Sequence, residues 1–177
     1  LVLPGGAAEI VDLPGTYSLT SFSPEERIAQ EELLEGSFDV VVVVVDSTSL
    51  HRSLVLPAQA MLAGANPVLC LNMADEARAA GQRLDLDQMR LLLGIPIVET
   101  VGHRGEGLDA LGEAIATALE SPVEESRLVL GERLDDALDA IADTLDTVDV
   151  PAHRRRWVAS KLLIGEAPFV DAMKTRG

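Results

Sequence analysis

Val40-Val41-Val42-Val43-Val44-Val45-Asp46 is a run of β-branched residues closed by an acid. It is far too short to cross a membrane as a helix, and no polar residue interrupts it, so it reads as a strand buried on both faces. Two more stretches share this continuous character, Glu9 to Asp12 behind Ala7, and Pro67 to Asn72. A shorter one is Ile95-Pro96-Ile97-Val98. Helical segments lie between them. Ser23-Pro24-Glu25-Glu26 supplies an N-cap, a proline at the first helical position and an acid at the third, opening a helix to about Glu35 that stops at Gly36. Leu50 to Ala63 closes at Gly64, Asp85 to Leu93 closes at Gly94, and Gly107 to Glu120 gives a fourth helix. This alternation predicts an α/β fold, a mostly parallel sheet with flanking helices and right-handed crossovers. Ligands of such sheets collect at the carboxyl ends of the strands, where Asp12, Asp46, Asn72 and Thr100 all fall.

After Glu120 the pattern becomes helical throughout. Ser121-Pro122-Val123-Glu124 resembles a second helix start. Leu130, Leu134, Leu138, Ile141, Leu145 and Val148 then recur at helical spacing with acids on the other face, until Pro151 breaks the run. A further segment, His153 to Ile164, sets Trp157, Leu162 and Leu163 among Arg154, Arg155, Arg156 and Lys161. The expected division is residues 1–120 and a small all-α domain over residues 121–177.

Composition excludes several classes. The net charge of -15 over 177 residues argues against a nucleic-acid surface, which needs clustered Lys and Arg. Aromatics make up only 3%, so Val, Leu, Ile and Ala must build the core. The single cysteine, Cys70, lies inside an apolar strand and supplies no disulfide framework. His51, His103 and His153 are far apart and lack metal-ligand spacing. There is no initiator Met, and Leu1-Val2-Leu3 reads like a strand tail before a Pro4-Gly5-Gly6 turn, so the expected true start lies upstream.

Two constellations carry chemistry. In Asp12-Leu13-Pro14-Gly15-Thr16-Tyr17-Ser18-Leu19 an acid and a glycine land at a strand exit, where the carboxylate can reach a magnesium shell and the Gly15 N–H a terminal phosphate. Taken alone, an Asp-x-x-Gly is ordinary turn punctuation. The second is Asn72-Met73-Ala74-Asp75. Guanine recognition needs a carboxylate that accepts from the ring N1–H and the exocyclic amine together, with a side-chain amide near N7 and O6, and Asp75 and Asn72 supply these groups. By itself an Asn-x-x-Asp more often caps the helix that follows. Both motifs in this order at strand ends are much rarer by chance. Glu99-Thr100-Val101-Gly102 offers a third base contact through a backbone N–H, or is a plain strand exit.

As a set, these motifs resemble small GTPases. Within them, Asp12 to Leu19, Val45-Asp46-Ser47-Thr48-Ser49-Leu50-His51-Arg52, Asn72-Met73-Ala74-Asp75 and Arg104-Gly105-Glu106-Gly107-Leu108 look like the ferrous iron transport protein B family. Arg155-Arg156-Trp157-Val158-Ala159-Ser160-Lys161-Leu162-Leu163 is similar to that family's helical domain behind the GTPase (G) domain. The resemblance implies a P-loop GTPase-like fold for residues 1–120 and the start of a helical regulatory domain for residues 121–177. It implies GTP or GDP as ligand, magnesium held by Asp12 through a water, and potassium as a further cation. Gly15 would bond the γ-phosphate, and Leu13, Pro14, Thr16, Tyr17 and Ser18 would belong to the second switch. Asn72, Asp75, Thr100, Val101 and Gly102 would form the base site, with Met73 against the base in place of the usual Lys.

Some departures matter. Val101 and Gly102 stand where a Ser-Ala pair is usual. Thr16 stands where many GTPases carry the Gln that positions water, and no catalytic base is assigned. A phosphate loop needs Gly-Lys-Ser/Thr. The only lysines are Lys161 and Lys174, preceded by Ser160 and Met173, so the sequence holds no such loop. The chain alone is therefore expected to bind guanine nucleotide weakly or not at all. The resemblance further implies the cytosolic face of a bacterial inner membrane, the same protein's membrane transport domain as partner, and self-association. Two alternatives stand beside it, another soluble GTPase of the same class, and a non-enzymatic module with a G-domain-like fold.

Overall fold

The computed structural model describes residues 2–3, 6–19, 23–35, 38–120, 128–148 and 150–176. The chain divides into two compact units, Leu1–Met61 with Ala65–Val123, and Leu62–Gly64 with Glu124–Gly177.

The first unit is α/β, as its pattern predicts. Its sheet has three parallel strands in the order β3 (Val41–Asp46), β4 (Pro67–Asn72), β5 (Ile97–Glu99). The register pairs Asp46 with Asn72 and Leu71 with Glu99, which lines up the strand ends that matter below. Helix α1 (Pro24–Glu35) precedes the sheet. Helices α2 (Leu50–Ser53) and α3 (Val55–Leu62) connect β3 to β4. Helices α4 (Ala74–Ala79) and α5 (Leu86–Leu93) connect β4 to β5, and α6 (Leu108–Glu120) follows. Val43, Val45, Ala60, Leu69, Leu71 and Ile97 form the core. Leu69 and Leu71 are completely buried, and each contributes about 2 kcal/mol of transfer free energy.

Three expectations are corrected. Residues 9–12 form no strand; a strand exists only through its ladder, and no described segment pairs with this one. Ile10 and Val11 are accordingly exposed. Upstream, β1 (Val2–Leu3) and β2 (Gly6–Ala7) make a short antiparallel pair. Next, continuous burial holds for β4 but not for β3, where Val43 and Val45 are buried while Val42 and Val44 are exposed. Both faces of β4 are covered, whereas only the face of β3 that carries Val43 and Val45 is. Finally, the single helix expected from Leu50 to Ala63 is broken at Leu54. Pro57 has no N–H to give the Ser53 carbonyl, so the ladder is interrupted there.

The second unit is helical, with α7 (Glu132–Thr144), α8 (Arg155–Leu163) and α9 (Ala167–Arg176). The helix start expected at residues 121–124 lies outside the described residues. α7 and α8 pack together around Leu138, Leu145, Trp157 and Ala159. Lys161 is buried, yet its charge is matched: Nζ lies 2.7 Å from Glu166 Oε2 and 4.3 Å above the Trp157 ring. Arg156 pairs with Asp135 and Asp139, so part of the arginine run is local counter-charge. Among the described residues no helix is long and apolar enough to cross a membrane.

Candidate base-reading site

At the carboxyl edge of β4 the chain leaves the sheet through Asn72 and enters a left-handed turn at Met73, which is the N-cap of α4. This turn places Asp75 in the first turn of α4, beside the segment that leaves β5. That segment, 100–106, is a 3-10 turn over Gly102–Arg104, closed by a bond from the Val101 N–H to the Glu106 carbonyl at 3.0 Å.

The sequence-predicted base residues come together here. Asn72 Oδ1 accepts from the Gly102 N–H at 3.0 Å and from the Thr100 hydroxyl at 3.2 Å. The Thr100 N–H bonds the Leu71 carbonyl, and the Ala74 N–H bonds the Thr100 carbonyl, so the two loops are stitched by main chain as well. These bonds hold the Asn72 amide through its oxygen. A Cβ at residue 102 would come within 3.3 Å of Asn72 Oδ1, so glycine there lets the loop sit this close. The Gly102 N–H expected to serve a base is donated to Asn72 in this conformation. Val101 is buried, so its side chain belongs to the core and not to the site.

Asp75 is the electrostatic centre. Its Oδ1 is buried and has no hydrogen-bond partner, an arrangement that is costly for a carboxylate oxygen. Its Oδ2 lies 3.6 Å from Arg104 Nη2, an ion pair too long to be a hydrogen bond. Asp75 thus keeps one acceptor that no hydrogen bond of the described residues uses.

Further residues support Asn72 and the strand ends around it. The Ser47 hydroxyl, completely buried, donates to the Asn72 carbonyl at 2.6 Å. Its one clue is position, directly after the strand-ending Asp46 that registers with Asn72. The Thr100 hydroxyl also lies 3.2 Å from Cys70 Sγ, and burial pushes the Cys70 thiol up, with the Thr100 contact only partly opposing it. Asp46 acts as a cap, its Oδ1 accepting from the Thr48 N–H and hydroxyl.

The first motif is arranged differently. Asp12, Pro14, Gly15 and Tyr17 are exposed and Leu13 is half-buried. The Thr16 hydroxyl donates to the Ser18 carbonyl at 2.6 Å, so it is engaged in a local turn. The Ser18 hydroxyl donates to Glu26 on α1 at 2.7 Å, and the Leu19 N–H to Gln59 on α3 at 2.7 Å. The last two of these bonds tie the segment to helices α1 and α3. Asp12 has no companions for a metal: among the described residues no three His, Cys, Asp or Glu side chains could hold an ion. The residues present therefore do not by themselves make a magnesium site.

Comparison with known proteins gives similarity over most of the chain. Residues 3–115 match the family model described as ferrous iron transport protein B. The Fe(2+) transporter FeoB of Escherichia coli strain K12 is 35% identical over 162 residues, covering 89% of this chain and 21% of the relative. The Fe(2+) transport protein A/Fe(2+) transporter FeoB fusion protein of Porphyromonas gingivalis is 36% identical over 167 residues, covering 89% of this chain and 19% of the relative. The chain thus spans about a fifth of the length of these curated relatives. Among solved structures, the cytosolic domain of the T. maritima FeoB iron transporter in its GMPPNP form superposes with a TM-score of 0.84 at 32% identity, over 94% of this chain and 67% of that one. The chain belongs to the ferrous iron transport protein B family.

Proposed function

We propose that this chain is part of the guanine-nucleotide-binding and GTP-hydrolysing domain of a ferrous iron transporter, and that the edge formed by Asn72, Asp75 and the 100–106 loop reads the guanine base. The observation that carries this reading is the unpartnered Asp75 Oδ1, in the first turn of the helix that follows Asn72. A guanine edge presents N1–H and an exocyclic amine side by side, and both would be accepted by Asp75. The Asn72 amide would face N7 and O6, and the Met73 side chain would cover one face of the ring. Thr100 and Ser47 would act through Asn72, holding its amide and its carbonyl.

In this reading the Gly15 N–H faces the γ-phosphate, residues 13, 14 and 16–18 form the second switch, and residues 121–177 begin a helical regulator. Magnesium and potassium enter only with the phosphates. Asp12 would meet magnesium through a water, where that ion would screen phosphate charge. Hydrolysis gains no general base from Thr16, whose hydroxyl is already engaged by Ser18. The transported Fe2+, the membrane transport domain of the same protein and self-association belong to the longer protein of the relatives. Another soluble GTPase of the same class is not favoured, because the relatives named above are Fe(2+) transporters.

The test is an NMR titration of the chain with GDP and, separately, with ADP. GDP is expected to shift the amides of residues 72–75 and 100–104 at concentrations where ADP does not. Equal response to both nucleotides, or a response centred elsewhere, contradicts the reading.

A further inference from the structure

Arg104 stands at this site without a part in the reading above. It ends the 3-10 turn Gly102–Arg104, and Gly105 closes the turn in the left-handed conformation, φ +71°. Its guanidinium lies between two acids, with Nη2 3.6 Å from Asp75 Oδ2 and Nη1 3.7 Å from Glu106 Oε1. Both separations exceed hydrogen-bond length, so each contact is a loose ion pair. The Arg104 side chain is 55% exposed and the Glu106 side chain equally so. Moving the guanidinium from one acid toward the other therefore leaves it in water and costs little. Glu106 is anchored by its own main chain through the bond from Val101.

A guanidinium and a guanine edge offer a carboxylate the same thing, two parallel N–H donors. Both would draw on Asp75 Oδ2, the oxygen that lies near Arg104, so they compete for it. We infer that Arg104 is a competing counter-ion, resting on Asp75 in the empty site and displaced toward Glu106 when a guanine base arrives. This rests on Asp75 being the base-reading residue. The arrangement adds selectivity. A base that replaces the donors of Arg104 displaces it, whereas an adenine edge, with an acceptor at N1, does not.

The test uses substitutions with opposite signs, read by GDP titration of the full chain with amide shifts as signal. Arg104→Gln removes the competitor and should tighten GDP binding roughly two- to five-fold, the span expected of an exposed ion pair. Glu106→Gln removes the alternative partner and should weaken binding by a similar factor. In the Arg104→Gln background Glu106→Gln should have no effect, since the residue it releases is gone. Arg104→Lys, which keeps the charge, should stay nearer the original chain than Arg104→Gln. A residue that merely braces the loop would weaken binding whenever it is changed. Weaker or unchanged binding in Arg104→Gln, or an undiminished Glu106→Gln effect in the double variant, overturns the inference while GDP selectivity still stands. If the original chain does not distinguish GDP from ADP, the base-reading assignment falls and the role of Arg104 falls with it.

Discussion

Met73 is the one non-glycine residue among those described with a left-handed backbone, φ +61° and ψ +32°. For a residue with a Cβ this conformation costs about 1–2 kcal/mol, and such strain collects where function requires it. Here it turns the chain sharply between the strand that ends in Asn72 and the helix that carries Asp75. Met73→Gly should therefore stabilise the first unit by about 1 kcal/mol in urea unfolding, while weakening GDP-induced shifts because the covering side chain is lost. A Met73→Gly chain no more stable than Met73→Ala would show that the turn is not strained. The residue types at this site were legible in the sequence, since Asn72 and Asp75 are the groups that guanine chemistry needs. Arg104 and Ser47 were not. Arg104 has its effect through a distance to a residue 29 positions earlier, and Ser47 through a hydroxyl on a neighbouring strand.

Among elements, the central strand and the loop behind it show what periodicity can and cannot reveal. Pro67–Asn72 reads as buried on both faces and is. The valine run reads the same way, yet Val42 and Val44 are exposed, since strand order is a property of pairing and leaves no mark on composition. The same reason separates residues 9–12 from a strand assignment: their apolar character is real, and the ladder that would use it is not among the described residues. Helix α4 follows the Asn72-x-x-Asp75 motif, as the capping reading of that motif expects, so the helix and the chemical reading coexist there. Gly107, which starts the last helix of this unit, is fixed more firmly than any pattern suggested. A Cβ there would stand 2.2 Å from the Glu99 carbonyl oxygen, and φ is +81°. Gly107→Ala should cost roughly 2 kcal/mol or more, lowering the thermal midpoint and disordering the 100–106 loop. A variant as stable as the original would mean the β5–α6 connection is looser than described.

On the scale of the whole molecule, charge is the first constraint. A balance of -15 over 177 residues leaves few cations, and the second unit uses several of its own to neutralise acids. Asp135 on α7 is the clearest case. Burial alone would raise its carboxyl, but Arg156 and the N–H groups of Gly131 and Leu130 outweigh this and hold it below its usual range near 3.8. A carboxyl that is more acidic when folded stabilises the fold above its unfolded value and loses that contribution as pH falls through the folded value. The stability difference between the original chain and Asp135→Asn should thus be present at neutral pH and shrink below about pH 4. Urea unfolding at stepped pH measures it, and a gap that persists in acid would remove Asp135 as the cause. The α/β class followed from the alternation of apolar runs and helix signals, but no pattern placed the bonds that orient Asn72.

The central claim is that Asp75 reads the guanine base. Asparagine at this position keeps the shape and exchanges one acceptor for a donor, which suits the carbonyl that xanthine carries where guanine has its amine. Titrating GDP and xanthosine diphosphate against the original chain and Asp75→Asn measures this directly. The account predicts that the original chain prefers GDP and that Asp75→Asn prefers xanthosine diphosphate. An Asp75→Asn chain that keeps the GDP preference of the original would contradict it.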